Sequence, residues 1–465
     1  MGCSVFARPE RNVLTAATTK LILIIVDGLT PSMFETAASS RETPTLSLLA
    51  ETGSYRRAAS VFPSLTPVCI SSIATGAYPD LHRIPHLVWY SREEERIVEY
   101  GSSFGAIRAA GTRRSIVDAI FKMNADHLSS HAVTLFEAIE DAGLTPGAIN
   151  IPCYRGRTNH TPTVPGLGRT ADGPRRFFYY SLFESDRTGA PLAIRNRAGG
   201  TVDDYAAAAG RWLVTRDGFD FLAYYLSDYD YLSHARGPDD VREGLERTDR
   251  AVGALVEAAG GFEEFVERYA LLLCSDHGQT PVERSVRLER VLHGINGVVV
   301  TASNRAAMVY RLEGCPLDTR TLAETLEQDK SVEAVCFLED SDAVLRREGE
   351  DVRVSPVSDG WRARGDETLL DYPDARARVW HALQNPNAGD VLVSAAAGVE
   401  FADLGGRDHA GGGSHGSLAA GDSEVPVLKL GIEGEPRSIT DIAALVLGHF
   451  GIEAPPYAQV LAHAH

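Results

Sequence analysis

The sequence predicts an α/β fold, a doubly wound mixed sheet with a small α+β insertion. Continuous apolar runs recur along the chain, each ends in or beside an acidic residue, and stretches of helical periodicity separate them. Leu21–Val26 (LILIIV) ends at Asp27-Gly28, and Phe221–Leu226 (FLAYYL) ends near Asp228. Tyr269–Cys274 (YALLLC) ends at Ser275-Asp276-His277. A run without alternation suits a strand buried on both faces, as in a parallel sheet covered by helices. The intervening segments supply the covers. Thr45–Ala50 is short, Thr134–Ala142 is amphipathic, and Val241–Ala259 interleaves charges among Leu245, Val252, Leu255 and Val256. In such an alternation, ligands gather beyond the carboxyl ends of the strands. Acidic residues at three of those ends are the first functional clue.

From about Ser285 to Asn387 the texture changes. Val298–Thr301, Ala307–Tyr310, Ala334–Leu338 and Asp351–Val354 read as strands, and Thr319–Glu327 as a helix. We therefore assign 285–387 to an inserted α+β subdomain and 18–284 plus 388–458 to the main α/β unit. Gly405–Ser417 holds six glycines, which suits backbone bending closely around a site. Ile439–Phe450, followed by Gly451, reads as a closing helix.

The chain has 465 residues and a formal charge of −18, which argues against coating a nucleic-acid polymer or an anionic membrane. A phosphate substrate stays compatible, because bound divalent cations reverse the field of a carboxylate-rich site. The six cysteines, Cys3, Cys69, Cys153, Cys274, Cys315 and Cys336, form no CxxC pair and read as buried, reduced thiols. Met1-Gly2-Cys3 resembles a lipidation signal, but Phe6 stands where that signal wants Ser or Thr. No signal-type apolar region opens the chain, and no apolar run reaches the ~18–20 residues of a membrane span. The expectation is a soluble, cytoplasmic protein without a membrane span, whose oligomeric state stays open.

The candidate functional groups are individually ordinary. Asp230 and His234 are four residues apart, so on a helix they share a face and can bind one ion, yet such a pair is also a common surface feature. Asp27 reads alone as a helix cap or turn residue, His415 as a loop histidine, and Thr66 as a strand or cap threonine. Asp276-His277, after a buried strand, can face one cation from a sharp turn. Together Asp27, Asp230, His234, Asp276, His277 and His415 make three carboxylates and three imidazoles. That donor set suits zinc or manganese. A threonine hydroxyl becomes a nucleophile only when coordinated or paired with a base.

In chain order these segments resemble the alkaline phosphatase superfamily, and within it the type I phosphodiesterase/nucleotide pyrophosphatase branch. The resemblance rests on IIVDGL with Asp27, TPTLSLLAETG, and FPSLTPVCISSIATGAYPDLH, with Thr66 nine residues before Thr75-Gly76. It continues through SDYDYLSHARGP (Asp230, His234), LLLCSDHGQTPV (Asp276, His277), GGGSHGSL (His415) and Asp422-Ser-Glu-Val-Pro426. It implies an alkaline-phosphatase-like sheet and two divalent ions, zinc or alternatively manganese. Asp230, His234 and His415 would hold one ion. Asp27, Asp276 and His277 would hold the other, with Thr66 beside it as a metal-bound nucleophile. The implied reaction is hydrolysis of a small phosphate ester through a phosphothreonine, with backbone N–H groups near Thr66 serving the phosphoryl oxygens.

The pattern is broken in one place. Nucleotide pyrophosphatases carry an Asn twenty-one residues after the nucleophile, and here that position is Leu87. His86, Trp89, Tyr90 or Arg155 are candidates for replacing its contact, or else belong to a packed loop. A sulfatase would need Cys or Ser at position 66 followed by x-Pro-x-Arg, which Thr66-Pro-Val-Cys-Ile lacks. A phosphomonoesterase or a phosphonate hydrolase remains the alternative, because the metal core is shared and pocket residues decide.

Overall fold

In the computed structural model the first apolar run forms strand β1, Lys20–Val26, inside an eight-stranded sheet. The structure describes residues 19–458 except 165–167, 193–199, 217 and 359. The Met1-Gly2-Cys3 reading, Cys3 and residue 18 of the main unit lie outside the described residues. The other strands of this sheet are β2 (Ser54–Ala59), β3 (Pro146–Ile149), β4 (Arg176–Tyr179), β5 (Phe183–Glu184), β6 (Phe221–Leu226) and β7 (Tyr269–Cys274). The inserted region adds β8 (Val298–Ser303), β9 (Ala306–Arg311), β10 (Val332–Glu339), β11 (Asp342–Arg347), β12 (Glu350–Val357), β13 (Gly360–Gly365) and β14 (Val391–Ala395). Strand β15 (Glu424–Leu430) returns to the main sheet.

The main sheet has the order β2-β15-β7-β1-β6-β3-β4-β5. Its middle is parallel, with β7, β6, β3 and β4 running alongside β1, while β15 and β5 pair antiparallel near the edges. The sheet is therefore mixed, as expected. Side chains alternate across it. Leu21, Leu23 and Ile25 enter one apolar core, and Ile22, Ile24 and Val26 enter the other. Two buried faces explain why these strands read as unbroken apolar runs.

Helices close both faces. On one side lie α1 (Thr66–Thr75), α2 (Leu135–Asp141) and α3 (Asp441–His449), the last two close to the expected Thr134–Ala142 and Ile439–Phe450. The opposite side is covered by Pro44–Thr52, by Val202–Thr215 and by the long amphipathic helix Arg242–Ala259. Helix α1 is buried after its first residue, and its Ser71 and Thr75 hydroxyls are satisfied inside the core by donating to the carbonyls of Pro67 and Ser71. Gly76 ends it with φ 71, and a Cβ there would meet Ala458 at 2.6 Å. That close approach accounts for the glycine of Thr75-Gly76.

The second sheet has the order β8-β9-β14-β10-β11-β12-β13. One face, through Met308, Tyr310, Cys336 and Leu392, shares the core of α1, and the other is covered by Thr319–Glu327. Its strand β14 pairs with both β9 and β10 and comes after residue 387, where the sequence reading ends the insertion. Cys69, Cys153, Cys274 and Cys336 are buried free thiols, and Cys315 is half-buried and free. Among the described residues no helix is long and apolar enough to cross a membrane.

Candidate active site

Three adjacent strands, β6, β1 and β7, bring their carboxyl ends together. Asp27 follows β1 directly, and Asp276-His277 lie just beyond β7. Beyond β6 the chain turns into a helix, Asp228–Arg236, which carries Asp230 and His234 one turn apart. His234 Nε2 is 3.3 Å from Asp230 Oδ2. Gly28 allows this convergence. It has φ 69, and a Cβ on it would stand 2.6 Å from Asp230 Oδ1. Thr66 begins α1 with Pro67 behind it, and its hydroxyl is 3.1 Å from His277 Nε2. His415 arrives from the glycine-rich loop. The seven residues read as metal ligands and nucleophile, Asp27, Thr66, Asp230, His234, Asp276, His277 and His415, therefore meet at one place.

The imidazoles are oriented alike. Nδ1 of His234 donates to the carbonyl of Gly413 at 2.8 Å, and Nδ1 of His415 donates to that of Ser64 at 2.8 Å. His277 Nδ1 donates to the carbonyl of Gly278 at 3.0 Å. A carbonyl only accepts, so each Nδ1 carries a proton and each Nε2 is turned inward. This is how metal-binding histidines are held. Asp27 Oδ1 and Asp276 Oδ2 are buried without a hydrogen bond, although His277 Nε2 stands 3.3 and 3.5 Å from them. A buried carboxylate oxygen without a donor is unfavourable unless a cation or a proton compensates it.

Two sets of ligand atoms lie within 4.8 Å of one another, Asp27 with Asp276 and His277, and Asp230 with His277 and His415. The first set coincides with the group that the resemblance implies. In the second, His277 replaces His234, whose ring centroid is 5.2 Å from that of His415. The carboxylate and imidazole donors of both sets fit divalent metal ions.

The charge balance agrees. Burial, then the nearby Asp230, raises the carboxyl of Asp27, while burial and Asp27 raise that of Asp276 well above its ordinary value. Burial opposes ionisation of Asp230, but His234, His415 and His277 outweigh it and hold this carboxyl low. Burial disfavours a charged His277, yet Asp276, Asp27 and Asp230 push it up to about 10. Three carboxylates in a dry space attract any available positive charge.

A cavity of about 630 Å³ opens over this cluster. Thr66, Asp27 and His415 are in its floor, and Leu87, Tyr100, Phe104, Tyr179, Tyr180 and Tyr231 make an apolar and aromatic wall. Leu87 thus faces the site, where the resemblance places an Asn. His86 and Trp89 are buried in packing, and Tyr90 packs edge-on against Tyr310. Arg155 binds Glu137 and the carbonyls of Leu128 and Ser129. None of these four lines the cavity.

Other residues of the site have weak sequence signals. Gln279 donates to Asp230, and Tyr225 donates to Asp27; both stand within motifs already singled out. His409 lines the cavity, stacks on His234 at 4.1 Å and donates from Nδ1 to the buried Glu400 at 3.0 Å. Asn304 comes from the insertion and reaches His415, with no local pattern to mark it.

Known proteins resemble this chain in sequence and in fold. The family described as type I phosphodiesterase/nucleotide pyrophosphatase matches residues 21–418. Ectonucleotide pyrophosphatase/phosphodiesterase family member 7 from Homo sapiens is 22% identical over 311 residues, 63% of this chain. The chain covers 58% of that relative's length. The solved structure of murine ectonucleotide pyrophosphatase/phosphodiesterase 5, an inactive variant in complex with AMP, has a TM-score of 0.61 at 15% identity, covering 94% of this chain and 96% of that one. Phosphonoacetate hydrolase from Sinorhizobium meliloti 1021, in complex with phosphonoformate, has a TM-score of 0.59 at 18% identity, covering 93% and 96%. At these identities the two structures show a common fold, of the alkaline-phosphatase-like type. The family match extends over most of the chain and includes every segment that forms the site, so the chain belongs to the type I phosphodiesterase/nucleotide pyrophosphatase family of the alkaline phosphatase superfamily.

Proposed function

We propose that this protein hydrolyses phosphate diesters of the phosphodiesterase/nucleotide pyrophosphatase type, with Thr66 as covalent nucleophile. The observation that carries the reading is the set of three inward Nε2 atoms and two unpaired carboxylate oxygens around the Thr66 hydroxyl. Asp27, Asp276 and His277 would hold one divalent ion beside Thr66, and Asp230, His234 and His415 a second. Zinc, or alternatively manganese, would supply Lewis acidity there, acidifying the Thr66 hydroxyl and neutralising charge on phosphoryl and leaving oxygens.

The Thr66 oxygen attacks phosphorus in line, the bond to the leaving oxygen breaks, and that oxygen takes up a proton. Water then cleaves the phosphothreonine and restores the hydroxyl. Placing Thr66 at the start of α1 directs the positive end of the helix at the anionic centre. The catalytic work falls to 18–284 plus 388–458, and 285–387 supplies part of the cavity wall.

A diester carries one negative charge at its non-bridging oxygens and two organic groups. The aromatic wall suits the organic groups. Among the described residues lining the cavity, Arg407 is the one guanidinium or ammonium group, which suits a single charge better than a dianion. The test is a paired assay of bis-p-nitrophenyl phosphate and p-nitrophenyl phosphate on zinc- or manganese-loaded protein. Preference for the diester supports the reading. A preference for the monoester favours a phosphomonoesterase, and no hydrolysis of either substrate contradicts the proposal.

A further inference from the structure

Asn304 and Arg305 form the two-residue turn between β8 and β9, with Ser303 paired to Ala306 across it. The turn is clamped from both sides. Phe401 N–H donates to the Asn304 carbonyl at 2.7 Å, and Arg305 N–H donates to the His415 carbonyl at 2.8 Å. The Arg305 guanidinium is buried against Asp422 at 2.9 Å. Asn304 itself is 8% exposed and has φ 58, a left-handed conformation that Asn tolerates better than most residues. This backbone geometry aims the side chain into the cavity that contains Thr66 and Leu87.

The Asn304 amide is held in one orientation. Its Oδ1 accepts from the Ser303 hydroxyl at 3.1 Å, and its Nδ2 donates to His415 Nε2 at 2.8 Å. That second bond and a cation at His415 are mutually exclusive. Nδ1 of His415 carries the proton donated to Ser64, so Nε2 has a single lone pair. Once Nε2 binds an ion, the Asn304 amide loses this acceptor while remaining buried at the edge of the reaction cavity. An unsatisfied buried donor is unfavourable, and the Leu87 side chain, which lines the same cavity, offers no acceptor. A phosphoryl oxygen does.

We propose that Asn304 is a substrate-binding residue whose amide donates to a non-bridging oxygen of the phosphoryl group, the inserted sheet thereby completing the anion site that Leu87 leaves without a side-chain donor. The inference rests on the proposed hydrolase reading. It makes one turn of the insertion part of the reaction site and gives the sheet a role in recognising the anion.

The test uses the full chain loaded with zinc, with inorganic phosphate as the probe in titration calorimetry and zinc content measured in parallel. Asn304→Gly removes the amide without straining the left-handed turn. Asn304→Asp keeps the shape but replaces the donor by a carboxylate. Both variants are expected to retain zinc and to bind phosphate about tenfold to a hundredfold more weakly, as for loss of a hydrogen bond to a charged group. Their kcat/KM for bis-p-nitrophenyl phosphate should fall in step. Unchanged phosphate binding overturns the proposal. Weakening that follows a loss of zinc also overturns it, because Asn304 would then support His415 rather than the substrate. A failed hydrolase reading is recognised separately, in wild-type protein that is zinc-loaded yet neither binds phosphate nor cleaves the diester; that result removes both.

Discussion

Thr66 Oγ1 lies 3.1 Å from Nε2 of His277, 211 positions further along the chain. The meeting is built into the sheet. The segment before α1 is tied to the end of β7 by Ser60, whose hydroxyl donates to the Asp276 carbonyl at 2.5 Å. Asp276 Oδ1 in turn accepts from Gly28 N–H at 3.2 Å, joining the ends of β1 and β7. Thr66, one imidazole and two carboxylates are therefore positioned by short connections between neighbouring elements. Little conformational freedom remains to be lost when a substrate arrives.

The unpaired oxygens of Asp27 and Asp276 make bound cations a source of stability. Chelated protein is expected to be inactive and to unfold at lower temperature, and zinc or manganese to restore both properties. At an ion concentration of ~100 Kd, each site adds about 2.7 kcal/mol. Calorimetry with elemental analysis checks this. Full activity in demonstrably metal-free protein would rule out the metal-dependent mechanism.

Arg305 and Asp422 form a buried pair that links the inserted turn to the His415 loop, since Asp422 Oδ2 also accepts from Ser417 N–H at 2.9 Å. Arg305→Met strands a buried carboxylate, and removal of one partner from such a pair costs about 3–5 kcal/mol. The urea midpoint should fall accordingly, with weakened zinc binding through His415. An unchanged midpoint would mean that water replaces the guanidinium without loss.

Glu99 is a buried carboxyl beneath the cavity wall and accepts from Gly101 N–H at 2.7 Å and Ser102 Oγ at 3.0 Å. Burial, only partly offset by these bonds, raises it from 4.5 to about 7. Between those values the folded chain binds more protons at Glu99 than the unfolded chain does. Its contribution to stability is therefore complete below pH ~4.5 and declines as pH rises to about 7. Glu99→Gln should flatten this part of the stability profile, by about 1–3 kcal/mol across the window. Denaturation midpoints measured at several pH values would show it, and an unaltered slope would count against the assignment.

Phe104 and Tyr231 are 72% and 63% exposed although both line the cavity. Large aromatic side chains left in water at the mouth of a site suit stacking on an organic ester group. Phe104→Ala and Tyr231→Ala are each expected to raise KM for an aryl diester about threefold to tenfold while kcat changes little. Equal losses with dimethyl phosphate would assign both residues a structural role instead.

The sheet was legible because an apolar run buried on two faces identifies itself without knowledge of its neighbours. Asp230 and His234 were legible because helical periodicity alone brings them together. Asn304 was not, since its partner His415 is 111 residues away and a turn asparagine has an ordinary local explanation. Strand β14 has the same apolar texture as a main-sheet strand, so only its pairing with β9 and β10 reveals its sheet. His86, Trp89, Tyr90 and Arg155 resemble a recognition surface when read in a line. In three dimensions burial, an aromatic neighbour and Glu137 occupy them.

The most direct measurement is acid-quenched peptide mapping of the metal-loaded protein during turnover of a slow aryl diester. A phosphoryl-ester adduct on Thr66 is expected in the wild type. In Thr66→Ala no adduct, retained metal and at least about a thousandfold lower kcat are expected. An adduct on another residue, or turnover in Thr66→Ala near the wild-type rate, would contradict the role of Thr66 as nucleophile.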